Sequence, residues 1–175
     1  MKNLILLLLC MFSINVEAQE LQTEYLQLNN GAFVYQRIFE SEDFPNEITI
    51  SAIKIINSTE NATSAELVPM EVEFKKYGYK DRMAMLMPIA NGSNLYGNVV
   101  IERKDSRIRV TISNLRFHNA VGNQIFGGIG DTEPIEDYIL NGKGNVRNGN
   151  TFIKALDSIE KTLSDKFINT VSSDW

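Results

Sequence analysis

Cysteine is almost missing from this chain: the sole thiol, Cys10, sits inside the N-terminal apolar run. From residue 19 onward there is therefore no disulfide, no thiolate metal site and no cysteine nucleophile. Histidine is as scarce, with His118 alone. A histidine-built metal centre needs a second such ligand, so that class is excluded as well. Basic excess is lacking too. The formal charge is −5, and it stays there when Lys2 (+1) and Glu17 (−1) are removed together. Such a chain lacks the positive surface that nucleic-acid phosphates reward.

Long hydrophobic runs are limited to one. Leu4 to Phe12 is apolar, follows Lys2, and leads to Val16-Glu17-Ala18, the small-x-small pattern at which a signal peptidase cuts. The run is too short to cross a hydrocarbon core of about 30 Å. Residues 1–18 are read as a secretory signal peptide, with a mature chain starting near Gln19, secreted or periplasmic. A lipoprotein anchor on Cys10 is not expected, because Leu9 precedes it and the apolar run continues past it. The short leader, with one lysine and an Ala18-Gln19 junction, has a bacterial texture. In that setting the sequons at Asn57, Asn61 and Asn91 mark polar loops rather than glycans.

The mature length suits one domain, with an apolar fraction of 43% over the chain. Residues 19–32 read as an extended lead-in ending at the turn Asn29-Asn30-Gly31. The domain proper spans 33–175. Phe33 to Glu40 (FVYQRIFE) is aromatic and β-branched, the signature of a strand. Ile48, Ala52, Ile55 and Ile56 follow helical spacing after Pro45, so Pro45 to Asn57 is expected to be an amphipathic helix. Asn57 to Ser64 reads as a polar loop. Leu67 to Tyr77, with Met70, Val72 and Phe74 alternating, and Arg82 to Ala90 read as strands.

The strongest local signal is a hairpin, Leu95 to Lys104 and Arg107 to Phe117, turning at Asp105-Ser106. Its register sets Val99 against Ile112, Ile101 against Val110, Arg103 against Ile108 and Glu102 against Arg109. The apolar parity slips between Ile112 and Leu115, which predicts a bulge. Asn119 to Asn150 is a Gly/Asn-rich connection with one short helical turn over Glu133 to Leu140. Thr151 to Val171 is the last helix, with Phe152, Leu156, Ile159, Leu163, Phe167 and Val171 as its apolar stripe.

Candidate chemistry is sparse. Gly144 to Thr151 has the glycine spacing of a phosphate loop, but Asn150 replaces the lysine such a loop requires. Arg103, Lys104, Arg107, Arg109 and Arg116 cluster on the hairpin and could hold an anion, although Glu102 and Asp105 are interleaved. His118 ends the second hairpin strand without a nucleophile elbow in the sequence. No spaced carboxylate pair nominates a glycosidase. Phe117, Phe126 and Tyr138 read as satellite core. The sites named from sequence are thus a binding set, Arg103, Arg107, Arg109, Arg116 and His118, with no catalytic residue, metal or cofactor.

The leader ending in Ala-Gln, FVYQRIFE, the hairpin YGNVVIERKDSRIRVTISNLRFHN and the closing helix together carry a resemblance. Over roughly Phe33 to Val171 the chain resembles bacterial exported proteins grouped as a domain of unknown function with a TATA-binding-protein-like (TBP-like) fold. That resemblance implies an α+β domain, and it transfers no activity and no functional residues. Fold does not import DNA binding.

The expected architecture is α+β: a curved antiparallel sheet of about five strands in the order β-α-β-β-β-β-α, with two helices on one face. The expected function is a non-enzymatic binding module for a protein or glycan at the bacterial envelope. The alternative is a small hydrolase or glycan-acting enzyme built from the 119–150 loop and His118, with Asp131 or Glu133 as its carboxylate.

Overall fold

The computed structural model describes residues 23–40, 52–78, 94–118 and 132–168. They form one antiparallel sheet and two helices. The strands are β1 (Leu26–Asn29), β2 (Ala32–Glu40), β3 (Ile53–Ser58), β4 (Ala62–Leu67), β5 (Met70–Glu71), β6 (Asn94–Lys104), β7 (Arg107–His118) and β8 (Thr132–Pro134). The helices are α1 (Ile135–Ile139) and α2 (Asn150–Ile168). Spatially the strands run β1-β2-β7-β6-β4-β3, with β5 beside β6 and β8 beside β7.

The β6–β7 hairpin is the spine. It turns through Asp105-Ser106, with Asp105 in the left-handed region, and all four cross-strand pairs expected from the sequence are present. The expected bulge is also there. Register shifts between Tyr96 and Asn98 opposite Arg116 and Ser113, and Asn114 takes a φ of 52°. Gly97 sits at this point. A Cβ on it would lie 3.1 Å from Ile112 and Leu67 methyls and 3.2 Å from one of Leu115. Gly97→Val is therefore expected to cost about 2 kcal/mol by overpacking, read as a lowered urea midpoint at unchanged slope.

Alternation gives the sheet two unlike faces. Phe33, Tyr35 and Phe39 of β2, Thr63, Ala65 and Leu67 of β4, Val99 and Ile101 of β6, and Ile108, Val110 and Ile112 of β7 are buried together. Arg37 shares that inner side at the β1–β2 edge. Its guanidinium lies 4.7 Å from the Tyr25 ring centroid and 4.9 Å from that of Phe39, so two aromatic faces accommodate the charge.

Helix α2 covers the inner face. Ala155, Leu156, Ile159, Leu163 and Phe167 are all buried, as the apolar stripe requires. Polar groups on the same helix fix its position. The buried Glu160 carboxylate accepts the backbone N–H groups of Glu24, Tyr25 and Leu26. The Tyr35 hydroxyl hydrogen-bonds Ser164, and Thr162 accepts the Glu73 N–H. Asp165 takes hydrogen bonds from Tyr77 and Lys76, and both hold its carboxyl below its ordinary pKa. Helix α1 is a single turn that buries Ile135, Tyr138 and Ile139. Its Glu136 accepts the Phe33 N–H, beyond Tyr35↔Ile112, where the β2–β7 ladder ends.

Several expectations need correcting. Ile53 to Ser58 is a strand, not the second half of a helix over Pro45 to Asn57, whose first part, 45–51, lies outside the described residues. Isoleucine favours extended backbone, and pairing with β4 decides the conformation. Ile55 and Ile56 are consequently 46% and 63% exposed rather than core. The polar stretch 57–64 is the end of β3, a turn at 59–61 and the start of β4, closed by Thr59 bonding to Ala62. Met70, Val72 and Phe74 are buried as their alternation implied, but only Met70–Glu71 pairs as strand. The lead-in contributes β1. The sheet thus has eight strands rather than about five, and its second helix is Ile135–Ile139, where a short helical turn was expected. The strand expected over 82–90 and the residues Phe126, Asp131 and Val171 lie outside the described residues. Among the described residues no helix is long and apolar enough to cross a membrane.

Candidate functional site

The five residues named from sequence do not form one site. The two ends of the hairpin hold them.

Arg103 is paired with Ile108 and so stands on the inner side of the sheet. It donates from Nη1 to the Thr63 hydroxyl at 3.3 Å. It closes the end of the core, one residue out of step with the outward Glu102–Arg109 pair, and at the strand end it also lines the same depression as Arg107 and Arg109.

Arg107 and Arg109 stand on the outer face near the hairpin tip. Arg109 pairs with Glu102 at 2.8 Å, and Arg107 approaches Glu40 at 3.4 Å. Ile38, 59% exposed, lies opposite Arg109 on β2. A depression of about 900 Å³ runs here between Ile38, Asn61 and Ala62 on its flanks and the hairpin tip. Its cations are interleaved with carboxylates, so it is a solvated charged surface, and the two exposed pairs contribute little to stability.

Arg116 and His118 also stand on the outer face, at the other end of β7. The bulge brings Tyr96 directly opposite Arg116. The Tyr96 and His118 rings lie 5.9 Å apart, inclined at 48°. Arg116 donates from Nη2 to the Thr132 carbonyl at 3.1 Å. Its Nε is buried and has no acceptor among the described residues. Beside this row a groove of about 490 Å³ opens between Tyr96, Asn98, Asn114 and Arg116 on one side and Lys54, Glu66, Val68 and Pro69 on the other. Sequence reasoning missed Tyr96, Asn98 and Asn114. Their signal was the parity slip itself, which locates the bulge but does not say which side chains gather round it.

Of the two carboxylates proposed to work with His118, Asp131 lies outside the described residues and Glu133 is on the other face. His118 pairs with Thr132 and Phe117 with Glu133, so Glu133 points inward with Phe117. There Glu133 accepts a hydrogen bond from the Tyr138 hydroxyl. Burial, then that bond, raises the Tyr138 pKa. Phe117 meets the Tyr138 ring edge-on, which makes both core residues, as expected. Among the described residues no cluster of three or more His, Cys, Asp or Glu could hold a metal. The glycine-spaced loop before α2 is internally bonded: Asn141 Oδ1 accepts from the Lys143 and Asn145 N–H groups, and Arg147 donates to the Leu140 carbonyl.

No family model matches the sequence, and no curated protein does either. Two solved structures resemble the fold. One is a TBP-like protein from Parabacteroides distasonis, with 16% identity and a TM-score of 0.49 over 86% of this chain and all of that one. The other is a DUF4468 family protein from Bacteroides ovatus, with 11% identity and a TM-score of 0.50 over 83% of this chain and 88% of that one. The likeness to the DUF4468 family protein is one of architecture alone, a sheet-and-helix α+β fold of the class the hairpin and closing helix implied.

Proposed function

We propose that this chain is exported, loses residues 1–18, and serves as a non-catalytic binding module for a protein or glycan at the bacterial envelope. Its contact surface is the outer face of the sheet at the β6–β7 bulge. One observation carries this reading: Tyr96, Arg116 and His118 converge on a face that neither described helix covers. Tyrosine and arginine are the residue types that interfaces concentrate at their energetic centres. The separation of His118 from Glu133 by the thickness of the sheet speaks against a histidine–carboxylate pair there. The leader supports export, and the mild negative charge supports a partner other than nucleic acid.

The test uses the mature chain, residues 19–175, immobilised and washed with solubilised envelope fractions. An envelope component retained by the wild type and released by the Y96A/R116A variant is the expected result. Specific turnover in a broad hydrolase screen, abolished by His118→Ala, would overturn the reading. Export is checked separately by N-terminal sequencing of the protein recovered from periplasm or medium, which should begin near Gln19.

A further inference from the structure

We infer that the groove at the bulge is a subsite for a carboxylate-bearing saccharide; this deepens the binding-module reading and rests on it. The groove's volume of about 490 Å³ falls in the range of small-ligand sites and suits a short oligosaccharide segment rather than a peptide helix. Its lining is chemically mixed in the way a sugar requires. Tyr96 offers an aromatic face and a hydroxyl. Asn98 and Asn114 offer amides that donate and accept at once, matching vicinal hydroxyls. An apolar ligand would leave those amides unpaired.

The acid is assigned from Arg116. Lys54 and Glu66 stand opposite each other across β3 and β4, so their charges offset and Arg116 sets the net sign of the groove. One of its donors is satisfied by the Thr132 carbonyl, and the side chain lines the groove. A carboxylate is the acceptor whose two oxygens match an edge of the guanidinium. Asn114, whose positive φ of 52° belongs to the bulge, lines the groove as well.

The experiment titrates the mature chain with trigalacturonate and, as the neutral counterpart, galactotriose, by calorimetry at low and moderate salt. Trigalacturonate is expected to bind at least about tenfold more tightly than galactotriose, with R116Q removing that preference and Y96A weakening both sugars. Asn114→Gly keeps the positive φ open while deleting the amide, and it is expected to weaken binding without unfolding the chain. Arg109→Ala, at the hairpin tip, should leave binding unchanged. Equal affinity for the two sugars, or acid binding untouched by R116Q and N114G, overturns the inference. No sugar binding while Y96A/R116A still releases an envelope component overturns the saccharide alone and leaves the contact surface standing. Loss of both overturns the two together.

Discussion

Replacing Glu160 by alanine is expected to destabilise the protein by about 3 kcal/mol, the largest loss foreseen for any polar side chain here. Its two carboxylate oxygens accept from the Tyr25 and Leu26 N–H groups at 2.8 Å and from that of Glu24 at 3.2 Å. Leu26 is fully buried, so its N–H has no water to turn to when the acceptor is deleted. The other two donors are partly exposed and recover some hydration, which keeps the estimate below the sum of three orphaned groups. For a chain of this size the loss lowers the melting temperature by roughly 10 °C. Glu160→Gln should fall between: an amide oxygen in place of Oε2 keeps the Tyr25 and Leu26 bonds, while its NH2 faces the Glu24 donor. Thermal melts and urea titrations of the three proteins check the order. The change should also free β1 first, since this carboxylate is what joins that edge strand to α2; limited proteolysis near residue 25 reads that directly. Glu160→Ala within about 0.5 kcal/mol of wild type would show that β1 is held by its β2 pairing alone.

Glu160 also shows where the sequence stops speaking. A glutamate on an exposed-looking helix position, more than 130 residues from its partners, carries no local mark of burial. The β6–β7 hairpin, by contrast, was fully legible down to register and bulge, because alternation over two long strands leaves one pairing that buries every apolar residue. Helix α2 was legible for the same reason at a different period. The misreading at Ile53–Ser58 came from a stretch where both periods fit a few isoleucines. Ile48, Ala52, Ile55 and Ile56 match helical spacing, and the β-branched composition that favours a strand does not by itself decide against it. The site was half legible. The arginines are legible as a group, but proximity in sequence does not separate Arg103, Arg107 and Arg109 at the tip from Arg116 and His118 at the far end of the strand. Tyr96 lay one residue before a glycine whose role appears only when Ile112, Leu67 and Leu115 close around it.

The same misreading supplies the sharpest comparison of core against surface. A helix over Pro45 to Asn57 would make Ile56 and Leu163 equivalent anchors, each costly to shorten. In the fold, Leu163 is fully buried and Ile56 is 63% exposed on an edge strand. Leu163→Ala is therefore expected to cost about 3 kcal/mol, combining lost transfer energy with the cavity left between α2 and the sheet. Ile56→Ser should stay within about 0.5 kcal/mol of wild type. Ile56 falls where the β3–β4 register shifts, between the Ile55↔Ala65 and Asn57↔Ser64 pairs, so the change breaks no registered pair. Urea midpoints of the two variants decide the matter: comparable losses would restore the helix, and a gap of several-fold fixes β3 as the sheet's margin. A second measurement bears on the edge itself. Two neighbouring exposed isoleucines on a strand that ends the sheet among the described residues invite a second chain to pair. Ile56→Lys, which places a charge there at no cost to the core, is expected to reduce concentration-dependent light scattering while leaving the melting temperature in place.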